Sequence, residues 1–193
     1  MYKSVLFDID NTLTEIQPTL DLMALKTGQA QITPEDVIDF RLSIAFGIPR
    51  QEELDFWANN EYELCDDSVL AVDRVQTMLD TYTDTNTVVH VITARQDKYF
   101  DHTLRWLERH GFQYDYLECL GKESKVEYME RHNIEAVFED NPAFFYELQD
   151  SPIAHKVDSF VIDYAYNQDV PATYRLDVDT GEIMYNEQMV ISQ

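Results

Sequence analysis

The stretch "VLFDIDNTLT", Val5–Thr14, sets three apolar residues directly against two acids one residue apart, Asp8 and Asp10. Val-Leu-Phe without polar alternation is the composition of a strand buried on both faces, as in a parallel sheet. An open parallel sheet binds its ligands outside the carboxyl ends of its strands. The two acids therefore stand where such a sheet does its chemistry, and the rest of the chain can be tested for the same pattern.

The pattern recurs. "TVVHVI" (87–92) ends at Thr93, "EAVF" (135–138) at Glu139 and Asp140, and "SFVI" (159–162) at Asp163. Between the runs lie segments of helical period. Residues 67–82 carry Val69, Leu70, Val72, Val75, Met78 and Leu79, and residues 96–110 carry Tyr99, Phe100, Leu104, Trp106 and Leu107 before Gly111. Residues 124–132 open on a capping serine, and residues 141–148 carry Pro142 at a favoured first-turn position. Strands alternating with helices predict an α/β fold: a Rossmann-like parallel sheet flanked by helices. Residues 17–66 break the rhythm. They hold "ITPEDVIDFRLSIAFGI", with Thr33 as N-cap and Pro34 in the first turn, and then "RQEELDFWANNEYEL", with no apolar strand run between. We expect a small helical cap inserted at 17–66, with residues 1–16 and 67–193 forming the core. "YRLDVDTGEIMY" near the end reads as a hairpin turning at Asp179–Glu182.

Composition narrows the function. With 37 Asp plus Glu against 14 Lys plus Arg, the 193-residue chain carries a net charge of −23. That argues against a nucleic-acid polymer and against an anionic membrane surface as partners. It leaves room for a small phosphorylated metabolite, because a metal ion and a few cations can control one pocket locally. The start has no signal-peptide pattern, and no stretch approaches the ~20 apolar residues of a membrane span. The expectation is a cytoplasmic protein, its oligomeric state open. The two cysteines and five histidines show neither a disulfide framework nor a metal spacing, and His90, in an apolar run, reads as a packed residue.

The residues that follow the four runs are the site candidates: Asp8 and Asp10, Thr93 with Arg95, Glu139 and Asp140, and Asp163. Converging carboxylates must be neutralised by a cation or by protons. Oxygen-only ligands favour a hard ion, Mg²⁺ first. Two acids one residue apart can divide the work, one staying ionised as nucleophile and the other carrying a proton as general acid and then serving as base.

"DIDNT" matches D-x-D-x-T, and "VITAR", "GKESK" and "FEDNP" follow in order. Together these four stretches resemble the motifs of the haloacid dehalogenase-like phosphohydrolase superfamily, over residues 2 to about 167. The resemblance implies that Asp8 attacks phosphorus and forms an aspartyl-phosphate, and that Asp10 protonates the leaving oxygen and then activates water. It implies Mg²⁺ on the Asp8 carboxylate, the Asp10 backbone carbonyl and Asp140. Thr93 and a lysine would bind the phosphate; Lys125 is favoured over Lys122 because it would open the helix feeding the Glu139 strand. Glu139 reads as a supporting group rather than a ligand. Arg95 is open between clamping phosphate and pairing with an acid on the surface, and Asp163 between a site group and an exposed strand end.

"VITARQDKYFDHTLRWLERHGF", "KVEYMERHNIEAVFEDNP" and "VIDYAYNQDV" resemble the 5′-nucleotidase and deoxyribonucleotidase-like branch, which implies a nucleoside monophosphate as substrate. One departure is Asn11, where that branch commonly has Gly. Phe40, Phe46, Phe56 and Trp57 of the insertion either stack a base or pack the cap, and their helical spacing favours packing. A sugar phosphate or another small phosphomonoester is the alternative substrate. A phospho-accepting signalling module is the alternative of another class; it fits less well because Asp10 supplies an acid able to hydrolyse the acyl-phosphate.

Overall fold

All four apolar runs are strands of one sheet in the computed structural model, which describes residues 1–184. The strands are β1 (Ser4–Phe7), β2 (Val88–Thr93), β3 (Tyr116–Cys119), β4 (Ala136–Glu139), β5 (Asp158–Ile162), β6 (Tyr174–Leu176) and β7 (Ile183–Met184). The helices are α1 (Gln17–Thr27), α2 (Leu42–Phe46), α3 (Arg50–Asp67), α4 (Val72–Tyr82), α5 (Phe100–His110), α6 (Lys125–His132) and α7 (Pro142–Gln149). The sheet order is β3-β2-β1-β4-β5-β6-β7, parallel throughout except for the β6–β7 pair. From β1 the chain builds outward through β2 and β3, then returns to β4 on the other side of β1. That reversal makes β1/β4 the switch point where such sheets open a crevice.

The apolar runs lack alternation because both faces of the sheet are covered. Val5, Phe7, Val91, Phe138, Phe160 and Ile162 share one core with Val75 and Met78 of α4, Trp106 and Leu107 of α5, and Leu20, Met23, Phe46 and Phe56 of the inserted helices. Leu6, Ile92, Val137 and Val161 face the other way, into a core with Val126 and Met129 of α6 and Phe144, Phe145 and Leu148 of α7. Phe7, Phe138, Phe160 and Tyr174 are register partners on adjacent strands, and their rings stack in a row at 4.6, 4.6 and 4.8 Å between centroids. Each buried ring contributes about 1.5–3 kcal/mol by leaving water, and each stacked pair about 0.5–1.5 kcal/mol more.

Three features differ from the reading of the sequence. β3 is an extra strand: its residues alternate exposed and half-buried at the sheet edge, so "YLEC" carries no apolar run. The turn at Thr33 does not grow into a helix. The Asp36 carboxylate accepts from both the backbone N–H and the hydroxyl of Thr33, which closes a single 3₁₀ turn at Pro34–Asp36, and helix resumes only at α2. Helix α4 starts at Val72 rather than at 67, because α3 runs on to Asp67 and Leu70 forms a bridge with Thr14. The hairpin at 174–184 adds β6 and β7 to the sheet; Tyr185, the last residue of the expected hairpin, lies outside the described residues. No helix among the described residues is long and apolar enough to cross a membrane.

Candidate active site at the β1–β4 switch point

The loop after β1 is built to present carboxylates. The Asp8 N–H donates to the Phe138 carbonyl at 3.0 Å, which carries the β1–β4 ladder one residue past the strand. The Ile9 carbonyl then accepts from the N–H groups of Thr12, Leu13 and Thr14 at 3.2, 2.9 and 3.1 Å, winding the chain back on itself. Asn11 takes φ +62° at the apex, the left-handed region where Gly and Asn are the residues of choice. That accounts for Asn in place of Gly, and Asn11 adds what Gly lacks: its Nδ2 donates to Asp140 Oδ2 at 3.2 Å. The loop is held from below by Arg74 of α4, fully buried, whose guanidinium donates to the carbonyls of Thr12 at 2.9 Å and Thr14 at 2.7 Å, and to that of Val178.

Asp8, Glu139 and Asp140 are all buried, and one carboxylate oxygen from each lies within 4.8 Å of the others. Lys125, at the first position of α6, donates to Asp8 Oδ1 and, at 2.5 Å, to Glu139 Oε2. Ser124 caps that helix, accepting from the Glu127 N–H at 3.1 Å, and so places the lysine at the strand ends. Lys122 stands exposed on the preceding loop. Glu139 is fully engaged, its Oε1 accepting from the N–H groups of Asp140 and Asn141 at 3.0 Å each. Asp140 Oδ2 accepts from Asn11 and from the Tyr166 hydroxyl, the latter at 2.6 Å, while Asn167 Nδ2 donates to the Asp140 carbonyl at 2.9 Å.

Three buried carboxylates face one ammonium. Burial, then the Glu139 charge, push the Asp8 carboxyl up to about 7 against the pull of Lys125. The same two causes, joined by Asp8, raise Asp140 well above the carboxylate range. Burial works against the Lys125 charge, but Asp8 and Glu139 outweigh it and raise its pKa. With all three carboxylates ionised the cluster is two positive charges short, and its donors are all oxygens, so the residues fit a hard divalent cation.

Asp10 is not in that cluster. Its side chain, 54 % exposed, turns toward β2, where Arg95, 4 % exposed, grips it with two hydrogen bonds: Nη2 to Oδ1 at 2.6 Å and Nε to Oδ2 at 3.0 Å. Arg95 thus pairs with an acid, and does so from a buried position rather than on the surface. Thr93 is buried at the end of β2, its hydroxyl accepting from the Arg95 N–H at 3.2 Å. Asp163 lies apart, paired with Arg175 and accepting from Gln168 at 3.1 Å.

A cavity of about 340 Å³ opens over these groups, its floor formed by Asp8, Asp10, Arg95, Lys125 and Asp140 and its roof by Phe40, Arg41, Arg50 and Trp57 of the insertion. A wider hollow of about 740 Å³ lies at the opposite ends of the strands, between α4 and the residues after α5, away from the carboxylate cluster. Tyr166, Asn167, Arg74 and Thr103, which bonds Arg95, were not legible as site residues. Only Asn167 carried a signal, in "VIDYAYNQDV".

No protein-family model matches the chain. It is 31 % identical over 134 residues to the Bacillus subtilis protein named "Putative nucleotidase YqfW", a match covering 69 % of this chain and 68 % of that one. Among solved structures, the Bacteroides fragilis protein named "Putative haloacid dehalogenase-like hydrolase" shares the fold with a TM-score of 0.57 at 15 % identity, covering 94 % of this chain and 99 % of the other. A HAD-superfamily hydrolase of subfamily IA from Geobacter sulfurreducens does so with a TM-score of 0.52 at 15 % identity, covering 90 % and 91 %.

Proposed function

The chain belongs to the haloacid dehalogenase-like phosphohydrolases and is a phosphatase, and from that premise we propose that it hydrolyses a nucleoside monophosphate with Mg²⁺ through an aspartyl-phosphate on Asp8. The observation that carries this reading is the buried Asp8–Glu139–Asp140 cluster with Lys125 between two of its members, at the switch point of the sheet and open to a cavity. The Asp8 carboxylate, the Asp10 backbone carbonyl and Asp140 would hold Mg²⁺. Bound there, the ion supplies positive charge that lets an anionic nucleophile meet an anionic phosphate.

The chain's own residues then divide the work. An Asp8 carboxylate oxygen bonds to phosphorus as the bond from phosphorus to the ester oxygen breaks. Asp10 gives its proton to that departing oxygen. In the second step Asp10 takes a proton from water, the water oxygen bonds to phosphorus, and the bond to Asp8 breaks, returning both acids to their starting state. Lys125 neutralises the transferring phosphoryl group, and the Thr93 hydroxyl, which only accepts in the resting site, donates to one of its oxygens. Glu139 holds Lys125 in place.

Residues 17–66 serve as the cap that selects the leaving group. The cavity is at the low end of the ~300–1,000 Å³ typical of ligand pockets. Its roof carries Trp57 and Phe40 and two arginines, a surface able to take a heteroaromatic base. The 31 %-identical relative, named "Putative nucleotidase YqfW", supports the same substrate class.

The test is phosphate release from a panel of nucleotides, sugar phosphates and an aryl phosphate, with Mg²⁺ and with EDTA. Release dependent on Mg²⁺ and concentrated on nucleoside monophosphates is expected. Release confined to sugar phosphates would keep the mechanism and reject the substrate, and release undiminished by EDTA would reject the metal.

A further inference from the structure

The mechanism asks Asp10 for two proton transfers in opposite directions, so its carboxylate must return to one place between them. An aspartate on an exposed loop does not do that unaided, because its free rotamers cost entropy to fix. In this chain the carboxylate, more than half exposed, is met by a guanidinium that is almost wholly buried. Arg95 is itself fixed at both ends, side chain and backbone. Its Nη1 donates to Thr103 Oγ1 of α5 at 3.2 Å, and Thr103 is fully buried. The Arg95 backbone N–H donates to Thr93 Oγ1 at 3.2 Å, and its carbonyl accepts from the Gly121 N–H at 3.0 Å.

A phosphate clamp would keep its fork free for the ligand. Here the Nε–Nη2 edge is taken by Asp10 and the remaining nitrogen by Thr103. A surface ion pair would leave both partners exposed; here the arginine is sunk and rigid while the acid reaches into the cavity. We propose that Arg95, anchored by Thr103, is a positioning residue that aims the Asp10 carboxylate at the leaving-group oxygen. The inference rests on the two-step reading above. It needs the planar two-pronged geometry of Arg, which a lysine ammonium does not reproduce.

A graded series of aryl phosphates tests it, from p-nitrophenyl phosphate, whose leaving oxygen needs little help from an acid, to phenyl phosphate, whose more basic oxygen needs more. The quantity to read is kcat/KM, which reports bond breaking to the leaving group. Arg95→Ala should lose about tenfold more kcat/KM on phenyl phosphate than on p-nitrophenyl phosphate. Arg95→Lys should show the same tilt, and added guanidine should restore Arg95→Ala chiefly on the basic leaving groups. Loss of equal size across the series would overturn the proposal, since an arginine that binds phosphate or only holds the fold treats all leaving groups alike. Should Arg95→Ala fail to fold, Thr103→Val, which removes the anchor and keeps the ion pair, must show a smaller tilt of the same sign; a flat series there also overturns it. A wild-type protein that hydrolyses none of the series would instead remove the phosphatase mechanism on which the inference stands.

Discussion

Phe40 of the insertion meets Tyr166 of the core edge to face, with ring centroids 5.6 Å apart and planes at 66°. The Tyr166 hydroxyl, at the other end of the ring, donates to Asp140 Oδ2 at 2.6 Å. One side chain thus joins the roof of the cavity to the acid expected to hold the cation. The two halves of that link separate by mutation. Tyr166→Phe keeps the ring and removes the hydrogen bond, and the Mg²⁺ concentration for half-maximal activity should rise about tenfold, as for other groups that orient a metal ligand. Phe40→Ala should leave that concentration unchanged and raise KM for substrate. A Mg²⁺ titration of both variants checks the division; an effect of Phe40→Ala on the metal response would show that the ring contact itself orients Asp140.

Asp8→Asn should abolish turnover, and it should also change stability in a direction that depends on pH. The Asp8 carboxyl is pushed up to about 7 from 3.8 by burial and Glu139. Between those values the folded chain holds a proton that the unfolded chain has released, so in metal-free protein the Asp8 contribution is fully present below pH 3.8 and is lost as pH rises through about 7. Asparagine has no such loss. Above pH 7, in EDTA, the variant should melt a few degrees above the wild type, with the gap closing toward acid pH. A wild type that melts above the variant in EDTA at that pH would contradict the charge imbalance read from the cluster.

Gly181 and Arg74 tie the hairpin of β6 and β7 to the loop after β1 that carries Asp8 and Asp10. Gly181 has φ +73°, and a Cβ there would stand 2.7 Å from the Arg74 carbonyl oxygen. Gly181→Ala should cost roughly 1–3 kcal/mol in urea unfolding. Arg74→Met should cost about 3 kcal/mol or more, since it strands the buried carbonyls of Thr12 and Thr14. If Arg74→Met unfolds at the wild-type midpoint, the guanidinium is not what holds the loop.

His90, packed as its apolar setting implied, sits against Tyr128, with Nδ1 2.8 Å from the hydroxyl, and stacks on Tyr116 at 4.7 Å. Burial, and then His132, depress its pKa to about 4 from 6.5. Within that window the unfolded chain binds the proton and the folded chain does not, so the His90 contribution is present above pH 6.5 and is lost as pH falls toward 4. His90→Phe carries no such dependence. The difference in urea midpoint between wild type and variant should therefore move against the wild type on acidification; a constant difference would place the histidine in ordinary contact with water.

Much of the site was legible because it is written locally. Asp8, Asp10, Thr93, Glu139 and Asp140 each end or follow an apolar run, and Lys125 follows a capping serine. A strand end or a helix start is a property of four or five neighbouring residues. β3 escaped because this edge strand buries no residue fully: Leu117 and Cys119 are only half-buried and, separated by Glu118, make no run. Tyr166 and Arg74 escaped because an aromatic or an arginine next to a strand or in a helix looks the same whether it faces a carboxylate, a carbonyl or solvent.

The order of apolar runs, helical periods and strand-end acids determined by itself that the chain folds as a parallel sheet with carboxylates gathered at one end, because burial on both faces leaves a continuous hydrophobic signature and parallel strands put their carboxyl ends together. The tertiary structure alone decided the partners of those groups. Arg95 and Asp10 lie 85 residues apart and Lys125 and Asp8 lie 117 apart. Which cation meets which acid depends on strand order, register and rotamer, and a short-range electrostatic contact between such distant positions leaves no mark in the residues adjacent to either.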